Sequence, residues 1–323
     1  MTRDSLRAAL RLPVIAAPML LVSGPELVIG TSIGGVVGSF PAANARTVEE
    51  CEDWVRAIDG ALAEARAGGA TGVAPYAMNI IVKRAGTDRF DADLDIATRY
   101  RVPIIITSIG DPSETVARIH DYGGLVFHDV ATMRHAERAI SAGVDGLILL
   151  TAGAGGHTGT ANPFGFVTEL RRRWDGIIIL AGAISNGRSV LAAEAIGADF
   201  AYMGTRFAAT RESMAVDAYK GFLTSQEMDD IVTTDRVSGI PATFMRGSIE
   251  ALGLDPKNLP ERNAPFQPNL PIGVKAWRDV WSAGHGVGAI DDLPDVERLI
   301  DRLVEEYREA RASLTASRAS IIA

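Results

Sequence analysis

One stretch of the chain sets a titratable ring in a backbone that lets a ligand come close. It reads Thr151-Ala152-Gly153-Ala154-Gly155-Gly156-His157-Thr158-Gly159. An imidazole takes or gives a proton near neutral pH. Gly155 and Gly156, beside it, expose N–H groups that no Cβ shields, which suits a planar or anionic ligand. The run directly follows Gly146-Leu147-Ile148-Leu149-Leu150, an apolar segment of the kind that forms a strand buried on both faces. A flexible glycine loop with an incidental histidine would have the same sequence, so the surroundings must decide.

Two further segments end in glycine and lead towards a helix: Ile179-Leu180-Ala181-Gly182-Ala183 and Met203-Gly204-Thr205-Arg206. Backbone amides at a helix start, aided by the helix dipole, form a site for a phosphate. The same glycines would also serve tight turns, but their recurrence in successive units favours the phosphate. Ser282 and His285, in Trp281-Ser282-Ala283-Gly284-His285-Gly286, are candidates for the substrate side. Lys83 follows the third predicted strand and is either a cofactor contact or a solvated loop residue. His120 and His135 lie on helical patterns and read as surface or packing residues. No His/Asp/Glu cluster has metal-ligand spacing, so no metal is expected.

The elements that must position these groups alternate along the chain. Strands are predicted at Pro13–Met19, Gly35–Phe40, Tyr76–Ile81, Pro103–Ser108, Gly124–Val130, Gly146–Thr151, Gly176–Gly182 and Phe200–Phe207. Helices are predicted at Val48–Ala67, Ser113–Tyr122, Thr132–Ala142, Pro163–Trp174, Gly187–Ile196 and Glu212–Leu223. Eight strands with crossover helices match an α/β (β/α)8 TIM barrel, whose active face lies at the C-terminal strand ends. A doubly wound open sheet would more naturally carry a glycine fingerprint after its first strand. Here that strand ends in Ala16-Ala17-Pro18-Met19.

The rhythm stops after residue 223. Prolines at 241, 256, 260, 265, 268 and 271 leave room only for short helical pieces such as Gly247–Leu252. The expected organisation is a barrel over 1–223, a small capping subdomain over 224–275 and a return to the barrel over 276–323. The return ends in a helix at Asp295–Ala316.

Composition narrows the function. The chain has 323 residues and a net charge of −8, which disfavours a nucleic-acid partner. The lone cysteine, Cys51, excludes an internal disulfide and reads as a buried helical thiol. No apolar run approaches a membrane span or a secretory signal, so a cytoplasmic protein is expected.

Taken together, Gly155-Gly156-His157-Thr158-Gly159, Ala181-Gly182-Ala183-Ile184-Ser185-Asn186-Gly187-Arg188 and Gly197-Ala198-Asp199-Phe200-Ala201-Tyr202-Met203-Gly204-Thr205-Arg206-Phe207 resemble the nitronate monooxygenase family. The likeness extends to Pro13–Met19, Asn79, Arg134-His135-Ala136 and Trp281–Gly288, and so covers nearly the whole chain. The glycine–histidine loop is also similar to that of FMN-dependent enoyl reductases and NADH:quinone reductases. The resemblance implies a barrel holding FMN, with its phosphate on Gly182-Ala183 and Gly204-Thr205. It places the flavin ring near Ala17-Pro18-Met19 and Asn79, bordered by Gly155 and Gly156, with His157 towards the substrate. Ala183 stands where members often have a second glycine, and a methyl there is tolerable if φ is negative.

One departure matters most. The fifth strand ends Phe127-His128-Asp129-Val130, where many members have His-Lys-Cys, so Asp129 reverses a charge expected beside the flavin. His128 would compensate if protonated, whereas Asp129 would be neutral to the cofactor if it caps a helix or pairs with Arg134. In addition, Ile81 replaces a threonine found in some members. The expected activity is oxidation of alkyl nitronates by O2 to a carbonyl compound and nitrite, with His157 as the catalytic residue. The alternatives are an NAD(P)H-dependent reductase of quinones or of enoyl or acyl-CoA thioesters and, more remotely, a non-catalytic flavin-binding module. A homodimer is compatible with the resemblance.

Overall fold

The computed structural model of the chain describes residues 1–82, 86–262, 264 and 267–321; Lys83 and Pro265 lie outside the described residues. Strands β1 (Val14–Ala16), β2 (Gly38–Pro41), β3 (Tyr76–Ile81), β4 (Ile104–Ser108), β5 (Leu125–Val130) and β6 (Gly146–Leu150) join β8 (Ile177–Ala181) and β9 (Phe200–Met203) in one parallel sheet. Its order is β1-β9-β8-β6-β5-β4-β3-β2. Between the two end strands Ile15 pairs in parallel with Val37. The Ala16 N–H donates to the Val37 carbonyl at 2.8 Å, and the Val37 N–H to that of Val14 at 3.1 Å. The sheet therefore closes into an eight-stranded TIM barrel.

Both faces of these strands are buried, which is why the sequence shows apolar runs rather than alternation. Ile15, Ile106, Phe127, Ile148, Ile179 and Phe200 pack in the barrel interior. Ile105, Val126, Leu147, Ile178 and Ala201 face the surrounding helices. Those helices are α1 (Arg3–Ala8), α2 (Pro25–Ile33), α3 (Val48–Ala67), α4 (Asp88–Arg99), α5 (Ser113–His120), α6 (Met133–Ser141), α7 (Pro163–Arg171), α8 (Gly187–Ala195), the short α9 (Thr205–Ala208) and α10 (Asp217–Leu223). The side chains of Thr47, Thr87 and Thr132 cap α3, α4 and α6 by accepting a backbone N–H three residues on. Buried Cys51 on α3 has its thiol pushed up to about 12 by desolvation.

Sequence periodicity missed α2 and α4, although Pro25 at the first helical turn and Thr87 as N-cap were available signals. It also extended the eighth strand to Phe207. The strand stops at Met203 instead, because Gly204 turns the backbone to φ −101°, ψ −68° and α9 begins at Thr205.

Beyond the barrel, β10 (Ile231–Thr234) pairs antiparallel with β11 (Ala242–Met245). Strand β11 pairs in turn with the two-residue β7 (Gly156–His157). The expectation of short helical pieces alone in this region is thus corrected, although α11 (Arg246–Glu250) is one. Four consecutive β-branched residues, Ile231-Val232-Thr233-Thr234, favour the first strand of the hairpin. Val237, Phe244, Ile249, Leu259 and Val280 form its own apolar cluster. The final helix α12 (Val296–Ile321) buries Val296, Leu299, Ile300 and Leu303 against the barrel's helical layer. Among the described residues, no helix is long and apolar enough to cross a membrane.

Candidate active site

Strand alternation builds the floor of a cavity of about 240 Å³ at the C-terminal end of the barrel. On β5, Leu125 and Phe127 point inward, so Asp129 does too. Asn79 on β3 and Tyr202 on β9 occupy equivalent inward positions, and all three line the cavity. Ala17, Pro18 and Met19, beyond β1, form one wall. Gly155, Gly156 and His157 form the rim, with Gly182-Ala183 and Gly204-Thr205 on adjoining strand ends. Ser282 also lines this cavity, whereas His285 does not.

His157 is held by its backbone. As part of β7 it pairs with Ala242, and Gly156 pairs with Thr243. The Thr243 hydroxyl donates to the Ala154 carbonyl at 2.8 Å. The Gly156 N–H donates to Ser282 Oγ at 2.7 Å, and that hydroxyl donates to the Thr243 carbonyl at 2.6 Å. Ser282 therefore ties the glycine loop to β11. The His157 ring meets Trp277 edge-on, with centroids 5.3 Å apart and planes at 88°. Burial lowers its pKa, which keeps it neutral. Neither ring nitrogen bonds to a described residue, so both are available to a ligand. His285 instead backs the glycine loop. Its N–H donates to the Gly153 carbonyl at 2.9 Å, and a Cβ on Gly153 would lie 2.8 Å from its Nδ1.

The two glycine-bearing strand ends differ. Gly182 has φ +139°, and a Cβ there would come 2.4 Å from Thr151 Oγ1; only glycine fits. The condition of a negative φ at Ala183 is not met: it sits in the left-handed region at +53°, a conformation that costs an L-residue about 1–2 kcal/mol. At Gly204 a Cβ would make only ordinary contacts, 3.5 Å to Met19 Sδ and 3.6 Å to Ala17 Cβ. Thr205 Oγ1 accepts from the Gly284 N–H at 2.9 Å.

On the floor, Asn79 donates from Nδ2 to the Ile106 carbonyl at 3.1 Å, leaving its Oδ1 for the cavity. Asp129 Oδ1 is buried without a partner, and desolvation pushes the carboxyl up to about 7. It neither caps α6, which is the work of Thr132, nor forms an ion pair with Arg134. The expectation that His128 compensates by protonation is corrected. Being one residue earlier on the strand, it faces the outer layer, with Nδ1 2.8 Å from the Thr107 hydroxyl. Desolvation holds it down to about 4, and it is neutral. Sequence reasoning missed Tyr202 and Trp277. The former was legible from alternation with Phe200, whereas nothing local marks Trp277.

A closed parallel barrel with a cavity at its C-terminal strand ends is the architecture of a barrel enzyme. Comparison with known proteins gives the class. The family model for nitronate monooxygenase matches residues 5–306. The chain belongs to the nitronate monooxygenase family and is an oxidoreductase of flavin type. A probable nitronate monooxygenase of Staphylococcus haemolyticus is 26% identical, covering 72% of each chain. A Rhodococcus jostii protein, (3aS,4S,5R,7aS)-5-hydroxy-7a-methyl-1-oxo-octahydro-1H-indene-4-carboxyl-CoA dehydrogenase, is 26% identical over 95% of this chain and 96% of its own. Among solved structures, nitroalkane oxidase from Streptomyces ansochromogenes superposes with TM-score 0.78 at 25% identity, covering 96% of this chain and 99% of that one. FabK from Thermotoga maritima shares the fold, with TM-score 0.76 at 22% identity over 98% of this chain and 99% of its own.

Proposed function

We propose that the chain is an FMN-dependent monooxygenase that oxidises alkyl nitronates with O2 to a carbonyl compound and nitrite. The observation that carries the reading is His157: a neutral imidazole with both nitrogens free, on the rim of a cavity whose walls are glycine-rich. The residues present fit a flavin. Gly156 at φ +76° opens onto free space, and Asn79 offers an unused amide oxygen. Gly182-Ala183 and Gly204-Thr205 would hold the phosphate. Ala17-Pro18-Met19 and Asn79 would flank the ring, and Asp129 would lie beneath it. Bound there, FMN would supply the redox chemistry, accepting electrons from substrate and passing them to O2.

The chain's own groups do the rest. His157 takes the C–H proton of a neutral nitroalkane, or donates a hydrogen bond to a nitronate that arrives already deprotonated. Trp277 and the 224–275 segment, which we read as a cap, restrict water at the rim. We place the protein in the cytoplasm, with no nucleic-acid or membrane partner. One observation favours a second reading. The Rhodococcus relative acts on a CoA thioester and aligns over almost the full length of both chains. The relative is named for dehydrogenation, so it supports the substrate class; in the reductive direction of that reading NAD(P)H reduces the flavin and His157 donates a proton to the substrate. Membership of an enzyme family removes the non-catalytic flavin-binding alternative.

His157→Ala separates these roles. Turnover of a neutral nitroalkane should fall by about 10²–10⁴-fold, the range for a lost general base, with FMN retained. Turnover of the pre-formed nitronate should fall far less. Equal losses on both substrates would remove the base assignment.

A further inference from the structure

A carboxylate that faces a cavity without any partner needs a reason. Asp129 is such a group: its Oδ1 is buried and accepts no hydrogen bond. The neighbouring strands place Ser108 and Leu150 in the cavity lining on either side of it, and Asn79 and Tyr202 complete the floor. No Lys or Arg lines the cavity among the described residues. Of the titratable groups, Tyr202 faces Asp129 from β9 and stays neutral, held well above its ordinary range by burial and by the Asp129 charge. His157 on the rim is neutral as well. On the outer side of β5, His135 of α6 and Asp111 before α5 act on His128, not on Asp129.

A negative charge added to this floor would therefore meet no cation among the described residues. We infer that Asp129 is the proton-binding partner of the flavin: it takes up one proton from solvent as two electrons enter the site, and returns it on reoxidation. The inference rests on the proposed FMN binding. The balance is simple. A two-electron donor, the nitronate in turnover or dithionite in a titration, delivers two electrons. One proton goes to the flavin ring and the second to the Asp129 carboxylate, so the site gains no net charge. When O2 removes the electrons, the Asp129 proton leaves to water. The device is needed because like charges placed together at low dielectric cannot both persist. The position of the carboxyl, pushed up to about 7 before any flavin charge is added, puts the coupled range at neutral and mildly alkaline pH.

The test is the pH dependence of the flavin midpoint potential in the full chain reconstituted with FMN, between pH 7 and 9. Two protons per two electrons change the reduction equilibrium by two tenfold factors per pH unit. At about 30 mV per tenfold for a two-electron couple, this is about 60 mV per unit. Asp129→Asn should halve the slope to about 30 mV per unit, and Asp129→Glu should restore it. Wild-type protein labelled with ¹³C at aspartate carboxyls gives a check free of mutation. Infrared difference spectra should show a protonated carboxyl appearing on reduction. Equal slopes in wild type and Asp129→Asn, or no new carboxyl band, would overturn the proposal while leaving FMN binding intact. A chain that binds no FMN at all would overturn the reading beneath it, and the proposal with it.

Discussion

The floor and the rim of the cavity are made by different physics. The floor is a strand product: Asn79, Asp129 and Tyr202 all face the cavity because residues two apart on a strand share a face, and each lies two beyond an inward residue, Ala77, Phe127 or Phe200. The rim is a long-range assembly. The two residues of β7 are held by β11, by Thr243 and by Ser282, which lies 126 positions along the chain from Gly156. A floor residue is fixed by its strand, so its protonation can change while its backbone stays in place. A rim residue depends on contacts that can loosen without disturbing the barrel. Rigidity and adaptability are thus divided between the two sides of one cavity.

Substitutions can break that division in order of expected effect. Gly204→Asp should abolish FMN retention by placing charge and bulk where a phosphate would lie. Gly204→Ala should keep the flavin, since a Cβ meets only ordinary contacts there. Flavin absorbance after gel filtration checks both, and a yellow Gly204→Asp protein would remove the phosphate assignment. On the rim, Thr243→Val deletes the donor to the Ala154 carbonyl in a buried position. The cost should be about 1–3 kcal/mol, read as a lower Tm, with kcat reduced about tenfold and the FMN Kd unchanged. A Kd that weakens in parallel would mean that rim and floor are one unit.

Acid should also separate the rim histidine from the one on the outer face of β5. Below the ordinary histidine pKa near 6.5, His157 remains an unprotonated base because burial lowers its pKa. The acid limb of kcat/KM should therefore lie below that value, and a limb above it would contradict the assigned environment. His128 gives the smallest catalytic effect. Its folded pKa is depressed to about 4, so between pH 6.5 and 4 the unfolded chain binds more protons and stability falls as pH falls. His128→Gln should remove that term. The gap between the wild-type and variant denaturation curves should change by at most about 1.4 kcal/mol per pH unit, with turnover at neutral pH unaltered.

Most of the floor was legible in the sequence, and little of the rim. Apolar runs ending at Ile81, Val130, Leu150 and Ala181 mark the strands whose ends meet at the cavity. Counting forward by twos from Phe127 sets Asp129 inward and His128 outward. The 224–275 segment reads less clearly because its prolines hide a four-residue strand, β11, that buries Ala242, Phe244 and Met245. Ser282 was singled out as a substrate contact, yet its hydroxyl is spent on two backbone groups of the rim. No local pattern announces a tie across that separation. Ala183 shows a third kind of miss: its left-handed φ is imposed by the turn out of β8, not by its own preference.

The central claim is that this site draws electrons from a nitronate. The FMN-reconstituted chain, mixed anaerobically with propionate-3-nitronate and no nicotinamide, tests it most directly. Loss of the oxidised flavin absorbance within the mixing experiment, with nitrite and carbonyl product after O2 is admitted, is the predicted result. A flavin that stays oxidised with the nitronate but bleaches with NADH or NADPH would contradict the account and assign the chain to the thioester or quinone reductases of the same barrel.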